Sequence, residues 1–209
     1  NGIDFIGGIN GAIRIDGGTD NVIVFDDCSF KCAIGGDDIT DLRERDGARI
    51  LNCGAVYSFE CEYSYNGKDG LNAHKSNDVI PSVFCYRNKG YENGLIVQVS
   101  SANGFTTHGG IKSIDIGSEW LGSAGTNSGH INDETQNWSV GVYAGNSDGD
   151  FATVGLGWGA FGLWDSSNGK MFMDYCKDRG AAIGVYNAGG SQVILTNHDG
   201  TGSHVGNII

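Results

Sequence analysis

The chain is predicted to be all-β, a single-stranded right-handed parallel β-helix spanning residues 1–209 as one domain, and three observations carry that prediction. Glycine is dense, 36 of 209 residues against one proline, without a Gly-X-Y triplet, so the backbone makes many tight turns and is not a collagen rod. Short stretches of alternating apolar residues recur at offsets of about 22 to 34 residues, the sign of stacked units. No segment of useful length has the 3.6-residue apolar periodicity of a helix.

The repeats justify the coils in turn. Residues 12–22 (AIRIDGGTDNV), 160–171 (AFGLWDSSNGKM) and 182–193 (AIGVYNAGGSQV) align as strand, polar turn, strand, the last two offset by 22 residues. Phe59 and Cys61 followed by Asp69-Gly70 match Val83 and Cys85 followed by Asn93-Gly94, at an offset of 24. The run from Asp69 to His74 matches that from Asn103 to His108, offset by 34, so one coil is longer or carries an inserted loop. Antiparallel folds would give hairpin units of about 8 to 12 residues, whereas here two or three strands repeat in one direction before the pattern restarts. Residues 117–159 break this regularity with Ser, Gly, Asn and Trp, which predicts longer loops there.

Hydrophobic residues at 39% are too many for disorder, and 209 residues suffice for a continuous core without cross-links. A formal net charge of −12, from 25 acidic and 13 basic residues, offers no basic stripe to a phosphate backbone, so nucleic acid is not an expected partner. Nor is a membrane, since no apolar run reaches about 18 residues. Residues 1–20 hold no secretory signal pattern, and with no initiator Met the expectation is a fragment or processed piece of a longer protein.

The cysteines Cys28, Cys53, Cys61, Cys85 and Cys176 sit in or beside apolar alternation, where small buried thiols pack well. No Cys or His spacing suits zinc. The acidic stretch Asp37, Asp38, Asp41, Glu44 and Asp46 lacks the ligand spacing of a calcium loop and reads as a solvated loop. No metal and no cofactor are expected.

The run from Phe59 to His74 and the later run from Asn103 to His108 resemble coils of the pectate-lyase-like superfamily of parallel β-helices, in particular the β-helical bodies of bacteriophage tailspikes. That resemblance covers nearly the whole chain. It implies an elongated homotrimer, extracellular or carried on a virion tail, that recognises and often cleaves bacterial surface polysaccharide. The chain departs from the polygalacturonase branch, because Gly36-Asp37-Asp38 and His108-Gly109-Gly110 echo only two of its four elements and lie about 70 residues apart. It also lacks the Asp-Pro-His motif of the mannuronan epimerases, its sole proline being Pro81.

Two constellations are candidate sites. If Phe59 and Cys61 face the core, Glu60 and Glu62 stand outward with Cα atoms roughly 6.6 Å apart, and Phe84 and Tyr86 lie beside them on the next coil. If Ile114 and Ile116 also face inward, Asp115 joins this face two coils on, roughly 9.6 Å from Glu60, close to the spacing of an inverting glycosidase pair. Aromatic rings suit the C–H face of a pyranose and carboxylates its hydroxyls, so Glu60, Glu62 and Asp115 are the catalytic candidates and Phe84 and Tyr86 substrate contacts. The second set is Asn72, His74, Thr106 and His108, which alternate outward from one sheet near Asp69 and could bind substrate or move protons. In a purely structural role, outward Glu residues keep the surface soluble, and Asp69, the Asn and the His residues hold turns as stacked ladders. Trp120, Trp138, Trp158 and Trp164 divide between outer sugar platforms and packed loops. Three readings stay open: a polysaccharide hydrolase, a non-enzymatic adhesin or structural β-helix, and a lyase or epimerase.

Overall fold

Strands of at most six residues cannot bury an apolar face alone; they must be stacked on equivalents above and below. In the computed structural model, which describes residues 3–6, 12–33, 45–75, 79–94, 102–131, 134–145, 159–165, 168–181 and 183–209, that stacking yields three parallel sheets. Sheet I holds β2 (Ile13–Asp16), β5 (Ala48–Leu51), β8 (Leu71–His74), β11 (Phe105–His108), β14 (Thr126–Ile131), β17 (Gly159–Trp164), β20 (Ile183–Asn187) and β23 (Ser203–Val205). Sheet II holds β3 (Val22–Asp26), β6 (Ala55–Phe59), β9 (Ser82–Tyr86), β12 (Lys112–Ile116), β15 (Gln136–Val140), β18 (Lys170–Asp174) and β21 (Gln192–Thr196). Sheet III holds β1 (Asp4–Ile6), β4 (Ser29–Lys31), β7 (Glu62–Ser64), β10 (Lys89–Tyr91), β13 (Glu119–Leu121), β16 (Tyr143–Gly145), β19 (Lys177–Arg179) and β22 (Asp199–Gly200). Each coil visits I, II and III in order, and strand numbers within a sheet advance by three. The chain is a parallel β-helix.

Side chains stack in columns down the interior. In sheet III the inward column runs Phe30, Tyr63, Gly90, Trp120, Ala144, Asp178. Phe30 and Tyr63 stack with ring centroids 4.9 Å apart. A Cβ on Gly90 would lie 2.4 Å from the Trp120 ring, so the glycine makes room for the indole. In sheet II the inward columns turn polar in the middle coils, passing through Ser58, Ser113, Asp115, Asn137 and Ser139. Asn137 Nδ2 donates to Ser113 Oγ at 3.0 Å and Ser139 Oγ donates to Asn137 Oδ1 at 2.8 Å, so these buried groups are paired as desolvation requires.

The corner from sheet II to sheet III has one shape in every coil. Asp27, Glu60, Arg87, Gly117, Gly141, Tyr175 and Asn197 are all left-handed there, with φ between 49° and 65°. In the first four coils the residue that follows the corner carries a ladder: Cys61 Sγ accepts the Cys28 N–H at 3.4 Å, Asn88 Oδ1 the Cys61 N–H at 2.9 Å, and Ser118 Oγ the Asn88 N–H at 3.1 Å. After sheet III a second ladder forms, Asn66 Oδ1 accepting from Ala33 N–H at 3.2 Å and Asn93 Oδ1 from Asn66 N–H at 3.1 Å.

The register corrects parts of the sequence alignment. The 34-residue offset holds, Leu71 pairing with Phe105 and His74 with His108, and the 22-residue offset holds where Met171 pairs with Val193. Phe161, however, pairs with Val185 and not with Ile183. Phe59 pairs with Tyr86, 27 residues on, and not with Val83. That coil contains two Asx-Gly pairs, and it is Asn66-Gly67, not Asp69-Gly70, that sits under Asn93-Gly94. Of residues 117–159, where longer loops are predicted, β13 to β16 continue all three sheets in register, while residues 132–133 and 146–158 lie outside the described residues. Buried polar residues such as Ser128, His130, Asn137 and Ser139 had hidden the alternation. All six cysteines are free thiols, four of them buried.

Candidate functional site

Alternation along β6 and β9 sends Tyr57, Phe59, Phe84 and Tyr86 to the outer face of sheet II. The central outward column of that sheet reads Val24, Tyr57, Phe84, Ile114, Trp138, Phe172, Ile194. Tyr57 is 39% exposed, Ile114 40% and Trp138 37%, large values for apolar side chains in one contiguous strip. Trp138 and Phe172 stack at 5.5 Å and Tyr57 and Phe84 meet at 6.3 Å. Two residues back along each strand, on the same outer face, runs a polar row, Ser82, Lys112, Gln136, Lys170 and Gln192. Between row and column lies a cavity of about 320 Å³ lined by Tyr57, Ser82, Phe84, Lys112, Ile114 and Trp138, among others.

The two glutamates border this face without standing on it. Phe59 faces outward as the last residue of β6, Glu60 occupies the left-handed corner, Cys61 is buried, and Glu62 opens β7 in sheet III. The expectation that Phe59 is a core residue with both acids on one strand is therefore corrected: the left-handed corner resets the alternation. Glu60 and Glu62 still share a groove of about 550 Å³ with Asp4, Asp27, Lys31, Arg87 and Lys89. Lys31 Nζ is 2.6 Å from Glu62 Oε2 and Arg87 Nη1 is 3.8 Å from Glu60 Oε1. Arg87 also lies over the Tyr86 ring at 5.0 Å, a cation–π contact that ties the charged groove to the aromatic face.

Asp115 is not on that surface. Ile114 and Ile116 take the outward positions, and Asp115 is fully buried, accepting the Trp120 indole N–H at 2.7 Å. Burial pushes its carboxyl up to about 6, against hydrogen bonds from Ser118 and Trp120. The buried indole needs an acceptor, and Asp115 supplies it, so the expected spacing to Glu60 across an outer face does not arise.

Asn72, His74, Thr106 and His108 do project from the outer side of sheet I, and His74 and His108 stack with ring centroids 4.1 Å apart. Asn72 and Thr106 are nevertheless fully buried. Beneath them Asp46 and Asp69 form a ladder into the turns: Asp46 Oδ1 accepts the Asp69 N–H at 3.1 Å, Asp69 Oδ1 the Asn103 N–H at 2.8 Å, and Asn103 Oδ1 the Thr126 N–H at 2.8 Å. Asn72 Nδ2 bridges both acids, 2.9 Å from Asp46 Oδ2 and 2.8 Å from Asp69 Oδ2. Burial, and then the charge of Asp69, raises the Asp46 carboxyl to about 8. Burial, and next the neighbouring His108, lowers His74 to about 3, while burial and the cations Lys68 and Arg49 lower His108 to about 4. Both imidazoles are thus neutral at pH 7. Asp46, read from sequence as part of a solvated acidic loop, is a buried turn residue; Asp37, Asp38, Asp41 and Glu44 lie outside the described residues. The Asp46–Asn72–Asp69 bridge had no signal in the sequence beyond the Asx-Gly turn at Asp69. Trp120 is core, Trp164 packs on Tyr186 at 4.2 Å, and Trp158 is outside the described residues.

Comparison with family models, with curated proteins and with solved structures found no match to this chain. No helix among the described residues is long and apolar enough to cross a membrane.

Proposed function

We propose that this chain is a polysaccharide-binding β-helix of the pectate-lyase-like, tailspike type, and that it holds an extended glycan along the outer face of sheet II. The observation that carries this is the outward aromatic and aliphatic column from Tyr57 to Phe172, with Tyr57, Ile114 and Trp138 exposed, flanked in its later coils by ammonium and amide ends at Lys112, Gln136, Lys170 and Gln192. Apolar ring surface covers the C–H faces of a sugar, and the polar row donates to hydroxyl and carboxylate oxygens. A polymer lying along the solenoid axis meets the same pair of chemistries every coil, roughly 4.8 Å apart. Bacterial surface polysaccharide, met outside the cell by a trimeric spike, is the ligand class this reading takes. Hydrolysis by Glu60 and Glu62 is the weaker arm, since each is held by a cation and Asp115 is in the core.

The test is binding to a panel of acidic and neutral bacterial polysaccharides by affinity electrophoresis, with Trp138→Ala and Phe84→Ala variants. Trp138→Ala should weaken binding by about tenfold, the scale of one lost stacking contact, and, because the side chain is only 37% exposed, should also cost about 2–3 kcal/mol of stability, so binding is compared where circular dichroism shows the variant folded. Unchanged binding in both variants would remove sheet II as the glycan face. If Trp138→Ala instead altered only the sedimentation of the free protein, the strip would be a contact between protomers. Reducing ends released by the parent and lost in Glu60→Gln would restore the hydrolase.

A further inference from the structure

Where the described solenoid ends, the chain departs from the earlier coils at three inward positions, Asp178 on β19 and then His198 and His204 in the turn of chain that follows the Asn197 corner. In the sheet III column, where earlier coils carry Phe30, Tyr63, Trp120 and Ala144, stands Asp178, followed by Gly200. At the II-to-III corner, where the chain places Cys28, Cys61, Asn88, Ser118, Val142 and Cys176, stands His198. In the sheet I column of Phe105, Ser128, Phe161 and Val185 the final residue is His204. Three groups able to ligate a metal thus replace apolar or small residues in three converging columns.

Their geometry is that of a site. One ligand atom from each of Asp178, His198 and His204 lies within 4.8 Å of the others. His198 Nε2 is 2.9 Å from Asp178 Oδ2, close to the separation of about 3 Å between adjacent ligands bound at ~2.1 Å from one ion at a right angle. Asp178 Oδ1 is held by the N–H groups of Thr201 at 2.7 Å and Gly202 at 2.8 Å, which fixes the carboxylate and presents Oδ2. Those bonds and the His198 contact outweigh burial and keep the carboxyl below its ordinary range. The His198 side chain is only 5% exposed, and its Nε2 is the atom turned to the carboxylate. Gly184 and Gly200 make room for the carboxylate, since a Cβ on either would come within 2.1 Å of Asp178 Oδ2.

We propose that Asp178, His198 and His204 form a binding site for one divalent transition-metal ion of the zinc class, closed on three sides by the coil and open to solvent past His204. Two imidazoles and one carboxylate are a borderline donor set suited to such an ion and poorly suited to calcium or magnesium. Bound there, the ion ties β22 and β23 to β19.

The experiment is titration of the untagged, metal-stripped chain with Co(II) and Zn(II), reading visible absorption, stoichiometry and thermal midpoint, alongside His204→Gln and a His108→Gln control. Because His204 is exposed, its substitution leaves folding intact. The site requires one ion per chain, imidazole and carboxylate d–d bands, a raised thermal midpoint, and a loss of affinity beyond roughly 100-fold in His204→Gln, since even losses one shell out from the ion reach that scale. His108→Gln should bind as the parent does. No saturable uptake up to about 1 mM metal, thiolate charge-transfer bands from the free cysteines, or affinity unaffected by His204→Gln would each overturn the proposal and leave a simple Asp178–His198 hydrogen bond.

Discussion

On the outer side of sheet I, Asn72 and Thr106 are sealed from water and Asn72 is bridged to Asp46 and Asp69, whereas on the outer side of sheet II, Tyr57, Ile114 and Trp138 stand in solvent with no such cover. The two faces have the same backbone pairing and the same alternation, so their difference lies in what the turns bring to them. The Asx residues entering sheet I lay a carboxylate ladder beneath its outward side chains, while the short II-to-III corner brings only one left-handed residue and leaves sheet II bare. One face is committed to holding coils together, and the other is free to meet a ligand.

The comparison breaks most directly at Asp69. Replacing it with Ala removes the acceptor of the Asn103 N–H and one of the two acids bridged by Asn72, leaving buried donors unmet, and should cost about 3 kcal/mol in urea unfolding. A loss below about 1 kcal/mol would mean that the ladder on sheet I is no more structural than a surface contact.

The ladder also sets a pH dependence whose sign separates the acids from the histidines. The Asp46 carboxyl, raised to about 8, keeps in the folded state a proton that the unfolded chain releases near pH 4, so stability falls as pH rises through that window and levels above it. His74, His108 and His130, lowered to about 3, 4 and 3 mainly by burial, act oppositely: the unfolded chain protonates first, so their contribution grows with pH up to about 6.5 and is then constant. Between about pH 6.5 and 8 the carboxyls alone remain, and the urea midpoint should decline across that interval in the parent. Asp46→Asn should flatten the decline; an equally steep one in the variant would exclude Asp46 as its source.

The smallest effect belongs to the bare corner. Gly141 has φ 64°, and a Cβ added there would meet nothing within 4 Å, so Gly141→Ala measures left-handed strain alone, about 1 kcal/mol. A much larger loss would show that the corner is packed after all.

What was legible in the sequence follows the same divide. The coil and the His74–His108 stack were visible because the Asp69-to-His74 and Asn103-to-His108 runs keep identical spacing after an Asx-Gly turn, and the outward direction of Phe84 and Tyr86 followed from alternation. The phase at Phe59 was not, because Glu60 takes a left-handed conformation that ordinarily marks itself with glycine, as at Gly117 and Gly141. Asp115 was placed outside because a carboxylate between two isoleucines reads as the polar half of an alternating strand; its reason for facing inward is the indole of Trp120, five residues later. The grouping of Asp178, His198 and His204 has no sequence signal, because the three residues sit in three different columns and share no spacing.

The uniform II-to-III corner has a consequence for how such a chain changes. Every coil leaves sheet II and enters sheet III through two residues, the first left-handed, although the distance from one corner to the next ranges from 22 residues (Tyr175 to Asn197) to 34 (Gly141 to Tyr175). Length is therefore gained and lost only elsewhere around the ring. Two corners such as Glu60 and Arg87 present equivalent backbone to whatever precedes and follows them, so a whole turn can be excised or duplicated between them with both cut ends already shaped to join. The corner acts as a splice point, and the solenoid is a sequence of interchangeable lengths read against a fixed ruler.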